Sequence, residues 1–221
     1  MFHVQKDRGI PQIGHPVNSK HFEGRPIDHL MIGCSDCSTT EPDILGIKMN
    51  RIMSHKNLGN LVHLSDLSSI SVVETAVNFL KVEKITVCGH YDCVAIAAAL
   101  NDRPVGAAGN WLRIIDRVAE KYRLHLDGIR DTSRRFTRLC ELNVIEQVHR
   151  LCSSPCVIGA WERGQSLTVR GWIFDAEAGA AKDLGFKISS VTDIEDRFDG
   201  ALARLDRKPG RKAINSTVAQ K

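Results

Sequence analysis

The stretch that decides the fold is Lys84-Ile85-Thr86-Val87-Cys88-Gly89-His90-Tyr91-Asp92-Cys93. Its first half is short and rich in β-branched residues, which predicts a buried strand. A second stretch has the same order, because the apolar run Leu30-Met31-Ile32-Gly33 leads directly into Cys34-Ser35-Asp36-Cys37. In an open α/β sheet, ligands gather outside the carboxyl ends of the strands. We therefore expect these two strand ends to converge on one pocket.

The segment between these two strands predicts a helix. Ser71 and Glu74 fit a capping box, and the apolar residues from Val72 to Leu80 recur at helical spacing. Strand, helix and strand in this order predict an α/β fold with a mostly parallel central sheet flanked by helices. The remaining pattern predicts strands over 51–54 and 156–161, an edge strand over 167–174, and helices over 94–100, 111–126, 143–152 and 193–205.

Length and composition indicate a single globular domain. The chain has 221 residues, of which 43% are hydrophobic and 25% charged. We expect an N-terminal arm over 1–27, the domain over 28–205 and a frayed basic tail over 206–221. No apolar run approaches the roughly 18 residues of a membrane span, and residues 2–8 lack the apolar core of a signal peptide. These observations predict a cytoplasmic protein without a membrane partner.

The charge pattern argues against a nucleic-acid partner. The formal net charge is only +4, and the basic residues of 130–138 and 204–212 are not interleaved with stacking aromatic residues. Both basic runs are more typical of solvated surface.

The residue types at the two strand ends point to a metal. Two thiolates, from Cys34 and Cys93, and the imidazole of His90 are a zinc ligand set, and three protein ligands leave a fourth position for water. Structural zinc sites favour four protein ligands, so a closed site with Asp36 or Cys37 as the fourth ligand is the alternative. A redox pair of Cys34 and Cys37 is less favoured because it leaves His90 and Cys93 without a role.

The seven cysteines do not predict a disulfide framework. Their number is odd, and the sequence shows no secretory signal. Four of them are expected to be small buried hydrophobic residues, namely Cys88, Cys140, Cys152 and Cys156.

Several motifs in order resemble the β-class carbonic anhydrases. The resemblance covers roughly residues 28 to 200 and depends on the whole series, since a lone His-x-x-Cys motif would be weak. Four of the motifs lie in the first half of the chain: Cys-x-Asp at 34–36, the segment 71–77 followed by Lys81-Val82, Cys88-Gly89-His90, and His-x-x-Cys at 90–93. The others are Asn143-Val144 with Gln147-Val148, and Gly171-Trp172 followed by Asp175 and Gly179.

This resemblance implies a zinc-dependent lyase with zinc held by Cys34, His90 and Cys93. In that family a zinc-bound hydroxide attacks carbon dioxide to give bicarbonate, and zinc makes this nucleophile available by lowering the pKa of its water towards about 7. The resemblance also implies a homodimer or homotetramer with active sites near the subunit interface.

Asp36 is the pivotal position, because the sequence departs from the family at the residue that would pair with it. There the Cys-x-Asp motif continues to an arginine that pairs with the aspartate and keeps it off the metal, but this chain has Ser38. A serine hydroxyl cannot replace a bidentate guanidinium. Asp36 could therefore ligate zinc and close the site, or another arginine such as Arg51 could reach it, or the pocket could be reshaped.

Other departures leave three functions open. Val94 and Ala95 stand where the family usually has glycine after the cysteine, and Lys56 replaces an arginine. The first function is carbon dioxide hydration, with weak activity as one outcome. The second is hydrolysis, elimination or addition on another small molecule by a divergent family member. The third is a catalytically silent, zinc-stabilised protein that binds a partner or bicarbonate.

Overall fold

A computed structural model describes residues 26–100 and 106–206 of the chain. Within them, five strands form one sheet in the order β2-β1-β3-β4-β5. Strands β1 to β4 are parallel, and β5 is antiparallel to β4. The predicted α/β fold with a mostly parallel sheet is therefore confirmed. The strands are β1 His29–Cys34, β2 Ile52–Asn57, β3 Lys84–His90, β4 Thr168–Asp175 and β5 Ala180–Ile188.

Helices cover one face of this sheet far more than the other. Successive side chains of a strand point to opposite faces, so Leu30 and Ile32 of β1 lie in the main core while Met31 lies in a smaller cluster with Cys88 and Phe174. The helices are α1 Glu41–Leu45, α2 Leu67–Glu74, α3 Val94–Leu100, α4 Gly106–Lys121, α5 Arg123–Asp127, α6 Thr132–Cys152, α7 Pro155–Glu162 and α8 Ile194–Asp206. In the described ranges, we find no helix that combines the length and apolar character needed to span a bilayer.

Helix α6 lies closest to the sheet. Its first turn is capped by Asp131, whose carboxylate accepts hydrogen bonds from two backbone N–H groups of that turn. Its middle packs on β3 and β4 at two glycines. A Cβ atom at Gly89 would lie only 2.5 Å from Val144 Cγ2, and one at Gly171 would lie 3.1 Å from Val144 Cγ1. A side chain at Gly89 would therefore displace α6, and one at Gly171 would force a smaller adjustment of Val144.

Two local predictions are wrong for identifiable reasons. The predicted capping box at Ser71 lies inside α2, because Asp66 caps this helix by accepting from the N–H groups of Ser68 and Ser69. The predicted strand over 156–161 is helix α7. It begins at Pro155, a residue suited to a first helical turn, and its apolar run fits a buried helix as well as a strand.

The edge of the sheet also differs from prediction. The predicted edge strand over 167–174 exists as β4, but β4 lies between β3 and β5, so β5 forms this edge of the sheet. Strand β5 escaped prediction because only its second half alternates regularly between exposed and buried positions. The predicted helix over 193–205 corresponds to α8, whereas residues 1–25 of the predicted arm and residues 207–221 of the predicted tail lie outside the described residues.

Candidate metal centre

The carboxyl ends of β1 and β3 bring four potential metal ligands together. Strand β1 ends at Cys34 and β3 ends at His90, and the turn that follows returns the chain to Cys93 through Asp92, which has a φ of 61°. One ligand atom from each of Cys34, Asp36, His90 and Cys93 lies within 4.8 Å of the others. The two predicted strand ends thus converge, as parallel strands in neighbouring positions must.

The distances inside this group favour a bound cation. Oδ1 of Asp36 lies 2.5 Å from Cys34 Sγ and 2.9 Å from His90 Nε2, and the two sulfur atoms are 3.7 Å apart. Cys34, His90 and Cys93 are 0%, 8% and 1% exposed. Two thiolates and a carboxylate this close repel one another unless a positive charge lies among them. Two sulfurs, one nitrogen and one oxygen are donors that suit zinc.

Backbone groups fix the orientation of three of these ligands. The His90 Nδ1–H donates to the carbonyl oxygen of Tyr91 at 2.9 Å, which leaves Nε2 facing the cluster. The N–H of Gly59 donates to Cys34 Sγ at 3.0 Å, and the N–H of Val94 donates to Asp36 Oδ2 at 2.7 Å. The ligand group is therefore held in place by the fold.

Without a metal, the pKa shifts move Cys34 and Asp36 towards the ionised forms that a metal needs and move Cys93 and His90 towards their protonated forms. The hydrogen bond from Cys93 lowers the pKa of Cys34 to about 5 although burial opposes it, and the same contact raises the pKa of Cys93. Burial alone would lower the pKa of His90, but Cys34 and Asp36 raise it to about 9. Burial would raise the pKa of Asp36, but hydrogen bonds from Cys34 and Val94 hold it below its usual value. A divalent cation would replace the protons that hold this group together.

A buried glutamate on α6 supports the turn between His90 and Cys93. Glu141 is 5% exposed, and its Oε1 accepts from the Tyr91 hydroxyl at 2.9 Å and from Lys182 Nζ at 2.9 Å. Sequence reasoning missed this contact. The available signal was a charged residue between the apolar residues Cys140 and Leu142 of α6.

Helix α6 also holds the loop that reaches Cys34. Asn143 Nδ2 donates to the carbonyl oxygen of Gly59 at 2.9 Å, and Gln147 Oε1 accepts from the N–H of Val62 at 3.0 Å. The two amide side chains are joined by a bond of 3.0 Å from Gln147 to Asn143. The loop that presents the Gly59 N–H is therefore fixed by buried polar side chains.

Two of the alternatives raised by the sequence are not supported by the structure. Cys37 lies outside the group of convergent ligand atoms, so the set in which it is the fourth ligand does not form. Arg51 pairs with Asp28, and no arginine in the described parts of the chain forms an ion pair with Asp36. The alternative in which Arg51 reaches Asp36 is not supported, because the Asp28 carboxylate binds its guanidinium.

The other departures affect the surroundings of the site. Lys56 pairs with Glu41 at 3.4 Å. Val94 is 62% exposed and Ala95 is buried, so of these two side chains only the smaller packs into the interior. Of the four cysteines expected in the core, Cys88, Cys140 and Cys152 are buried and Cys156 is half-buried.

Comparison with known proteins gives one consistent result. The family model described as carbonic anhydrase matches residues 29–181. A carbonic anhydrase of Emericella nidulans is 39% identical over 185 residues, which are 82% of this chain and 80% of that protein. A structure of the tetrameric β-carbonic anhydrases of Sordaria macrospora is 35% identical, with a TM-score of 0.70 over 77% of this chain and 86% of that chain. The Coccomyxa β-carbonic anhydrase in complex with acetazolamide is 29% identical, with a TM-score of 0.75 over 86% and 88%.

Proposed function

This chain belongs to the β class of the carbonic anhydrase family, and from that premise we propose that it is a zinc-dependent lyase for the reversible hydration of carbon dioxide to bicarbonate. The observation that carries the proposal is the convergence of two thiols, an imidazole and a carboxylate within 4.8 Å at the carboxyl edge of the sheet. Zinc, when bound, supplies a Lewis acid that acidifies water near neutral pH.

The residues proposed to hold zinc are Cys34, His90, Cys93 and Asp36. The first three supply the sulfur and nitrogen donors expected of a catalytic zinc site in this family. Asp36 is the fourth, because its Oδ1 lies within hydrogen-bonding distance of His90 Nε2 while its Oδ2 is held by the Val94 N–H. With Ser38 in place of an arginine, no guanidinium draws Asp36 away.

This arrangement gives Asp36 two roles in the proposed reaction. As a ligand it closes the fourth position, so we expect slow hydration in the resting protein. With zinc bound, the Asp36 carboxylate would also be an acceptor that can orient water, and the Val94 N–H would hold its Oδ2. Neither divergent chemistry nor a silent site is favoured by a specific contact in the described residues.

Stopped-flow measurement of carbon dioxide hydration together with zinc analysis tests this function. We expect one zinc per chain, measurable but slow hydration, and a faster rate in Ser38→Arg because the guanidinium can pair with Asp36. Ser153→Arg, which adds the same charge at the exposed end of α6, is the matched control and should leave the rate unchanged. Absence of zinc would refute the metal centre. Stoichiometric zinc with no hydration by the wild type or by Ser38→Arg would refute the proposed reaction.

Assembly and location complete the proposal. We expect a homodimer or homotetramer, and the tetrameric Sordaria macrospora enzymes support that expectation. Light scattering coupled to gel filtration measures the mass directly, and a monomer at micromolar concentration would contradict it. A cytoplasmic location is tested by imaging a fluorescent fusion of the full chain.

A further inference from the structure

The geometry assigns Tyr91 and Glu141 a positioning role, in which they hold the turn between two zinc ligands and so raise the affinity for zinc. This inference rests on the metal centre proposed above, since it concerns how His90 and Cys93 are kept in place. Neither side chain belongs to the group of convergent ligand atoms.

Tyr91 is fixed at three separate points. Its N–H donates to the carbonyl oxygen of Phe174 at 3.0 Å, where β3 ends beside β4. Its carbonyl oxygen accepts from His90 Nδ1 at 2.9 Å, and its hydroxyl donates to Glu141 Oε1 at 2.9 Å. The residue that sets the orientation of the His90 ring is thus anchored to α6 through its own side chain.

The link between the two ligands contains only one other residue. Asp92 follows Tyr91 and has a φ of 61°, a backbone conformation that non-glycine residues rarely adopt. Such a turn persists only when its surroundings hold it. The bond from Tyr91 to Glu141 is a side-chain hydrogen bond that connects this turn to α6.

Glu141 is itself a rigid anchor. Its carboxylate is 5% exposed, accepts from Lys182 Nζ of β5 at 2.9 Å and lies 3.4 Å from Arg138 Nε of its own helix. Buried carboxylates with this many charge-assisted partners have little freedom to move. The hydrogen bond from Tyr91 to this carboxylate therefore restrains the turn relative to α6.

Loss of the Tyr91 hydroxyl should therefore weaken zinc binding without removing a ligand. Partners that orient metal-binding residues typically change metal affinity by about 10–100-fold when they are mutated. We expect the lower end of that range, about 10-fold, because the two backbone bonds of Tyr91 remain. The expected signature is a faster loss of zinc to a chelator.

The test compares Tyr91→Phe with Tyr122→Phe in the full chain. Tyr122 is the matched control, because its hydroxyl donates to another buried glutamate of α6, Glu146, also at 2.9 Å. The zinc dissociation constant is measured by competition with a chromophoric chelator, and folding is followed by circular dichroism. We expect weaker zinc binding in Tyr91→Phe only. Glu141→Gln keeps an acceptor for Tyr91 but loses the charge, so it should lower the zinc affinity less. It is the variant to measure if Tyr91→Phe does not fold.

Each outcome separates this inference from the function on which it rests. A wild-type protein that binds no zinc would overturn the metal centre itself. A wild-type protein that binds zinc, with Tyr91→Phe and Glu141→Gln binding it as tightly, would overturn the positioning role and leave the metal centre standing. Equal weakening in Tyr122→Phe would show that loss of any tyrosine hydroxyl bonded to a buried glutamate of α6 has the same effect, which also overturns the positioning role.

Discussion

Glu141 and Glu146 lie about one turn and a half apart on α6 and have almost the same surroundings. Both are buried, each accepts a hydrogen bond of 2.9 Å from a tyrosine hydroxyl, and each accepts another from a lysine ammonium at 2.8–2.9 Å. An arginine of the same helix lies near each carboxylate, at 3.4 Å and 3.7 Å. The two clusters are therefore alike in chemistry and differ in what their tyrosines adjoin.

That difference decides what each cluster does. Tyr91 is covalently bonded to His90 in the turn of the metal centre, whereas Tyr122 lies between α4 and α5 and is packed in the main core. A buried glutamate with tyrosine, lysine and arginine partners is consequently no mark of a functional site by itself. We expect the covalent neighbours of the partner tyrosine to decide whether such a cluster supports a site or only packing.

The largest expected effect comes from removing a ligand. Cys93→Ser should reduce bound zinc to near zero, because a serine hydroxyl is a poor zinc donor. Without zinc, the two clusters should become equivalent, so that Tyr91→Phe and Tyr122→Phe lower the melting temperature by similar amounts in this background. Metal analysis measures the first effect and thermal unfolding the second. Cys156→Ser is the control, because Cys156 is half-buried and lies outside the ligand group. Retention of zinc in Cys93→Ser would break the assignment of this residue.

Removal of zinc from the wild-type protein should affect the cluster of Glu141 and leave the cluster of Glu146 unchanged. A ligand present at about 1,000 times its dissociation constant stabilises the folded state by about 4 kcal/mol, and a chelator removes this contribution. Hydrogen exchange should then accelerate at residues 90–93 and stay unchanged around Tyr122. Equal acceleration at both places would mean that zinc stabilises the whole core and not the turn.

Removal of the carboxylate from the second cluster should cost stability only. In Glu146→Leu the Tyr122 hydroxyl, in a residue that is 3% exposed, loses its acceptor, and a buried unpaired polar group costs about 1–3 kcal/mol. Denaturant unfolding measures this loss. Adding Tyr122→Phe should restore part of it, and the zinc affinity should equal that of the wild type. A drop in zinc affinity would abolish the distinction between the clusters.

The smallest effect concerns pH. Burial would raise the pKa of Glu146, but hydrogen bonds from Lys121 and Tyr122 hold it below the ordinary value of 4.5. The folded state thus binds the proton less readily than the unfolded state, so the stabilisation is fully present above pH 4.5 and is lost as the pH falls through the folded pKa. The difference in unfolding free energy between wild type and Glu146→Gln should shrink over that acidic range. A difference that grows on acidification would contradict the depressed pKa.

The sequence predicted the features of the site that depend on strand order. Cys34 and His90 end two apolar runs, and adjacent parallel strands deliver their ends to the same edge, so their convergence followed from local pattern and topology. The edge strand β5 and the helix beginning at Pro155 could not be assigned in this way. In both, the local apolar pattern fits more than one structure and tertiary packing decides.

The supports of the site depend on contacts between distant parts of the chain. The bond from Tyr91 to Glu141 spans 50 residues, and the bond from the Val94 N–H to Asp36 spans 58. No periodicity or motif encodes such pairs, because each depends on where a helix settles against the sheet. The missing arginine at Ser38 was visible in the sequence, but the backbone donor that holds Asp36 in its absence was not.

The contact between Gly89 and Val144 limits how the residues around the metal centre can be changed. A Cβ atom at Gly89, the residue before His90, would lie 2.5 Å from Val144 Cγ2 of α6, so a larger residue at position 89 would push this helix away from the strand that ends in His90. Val94 directly follows Cys93 and is 62% exposed, so its side chain can be varied next to the metal centre at little cost in stability.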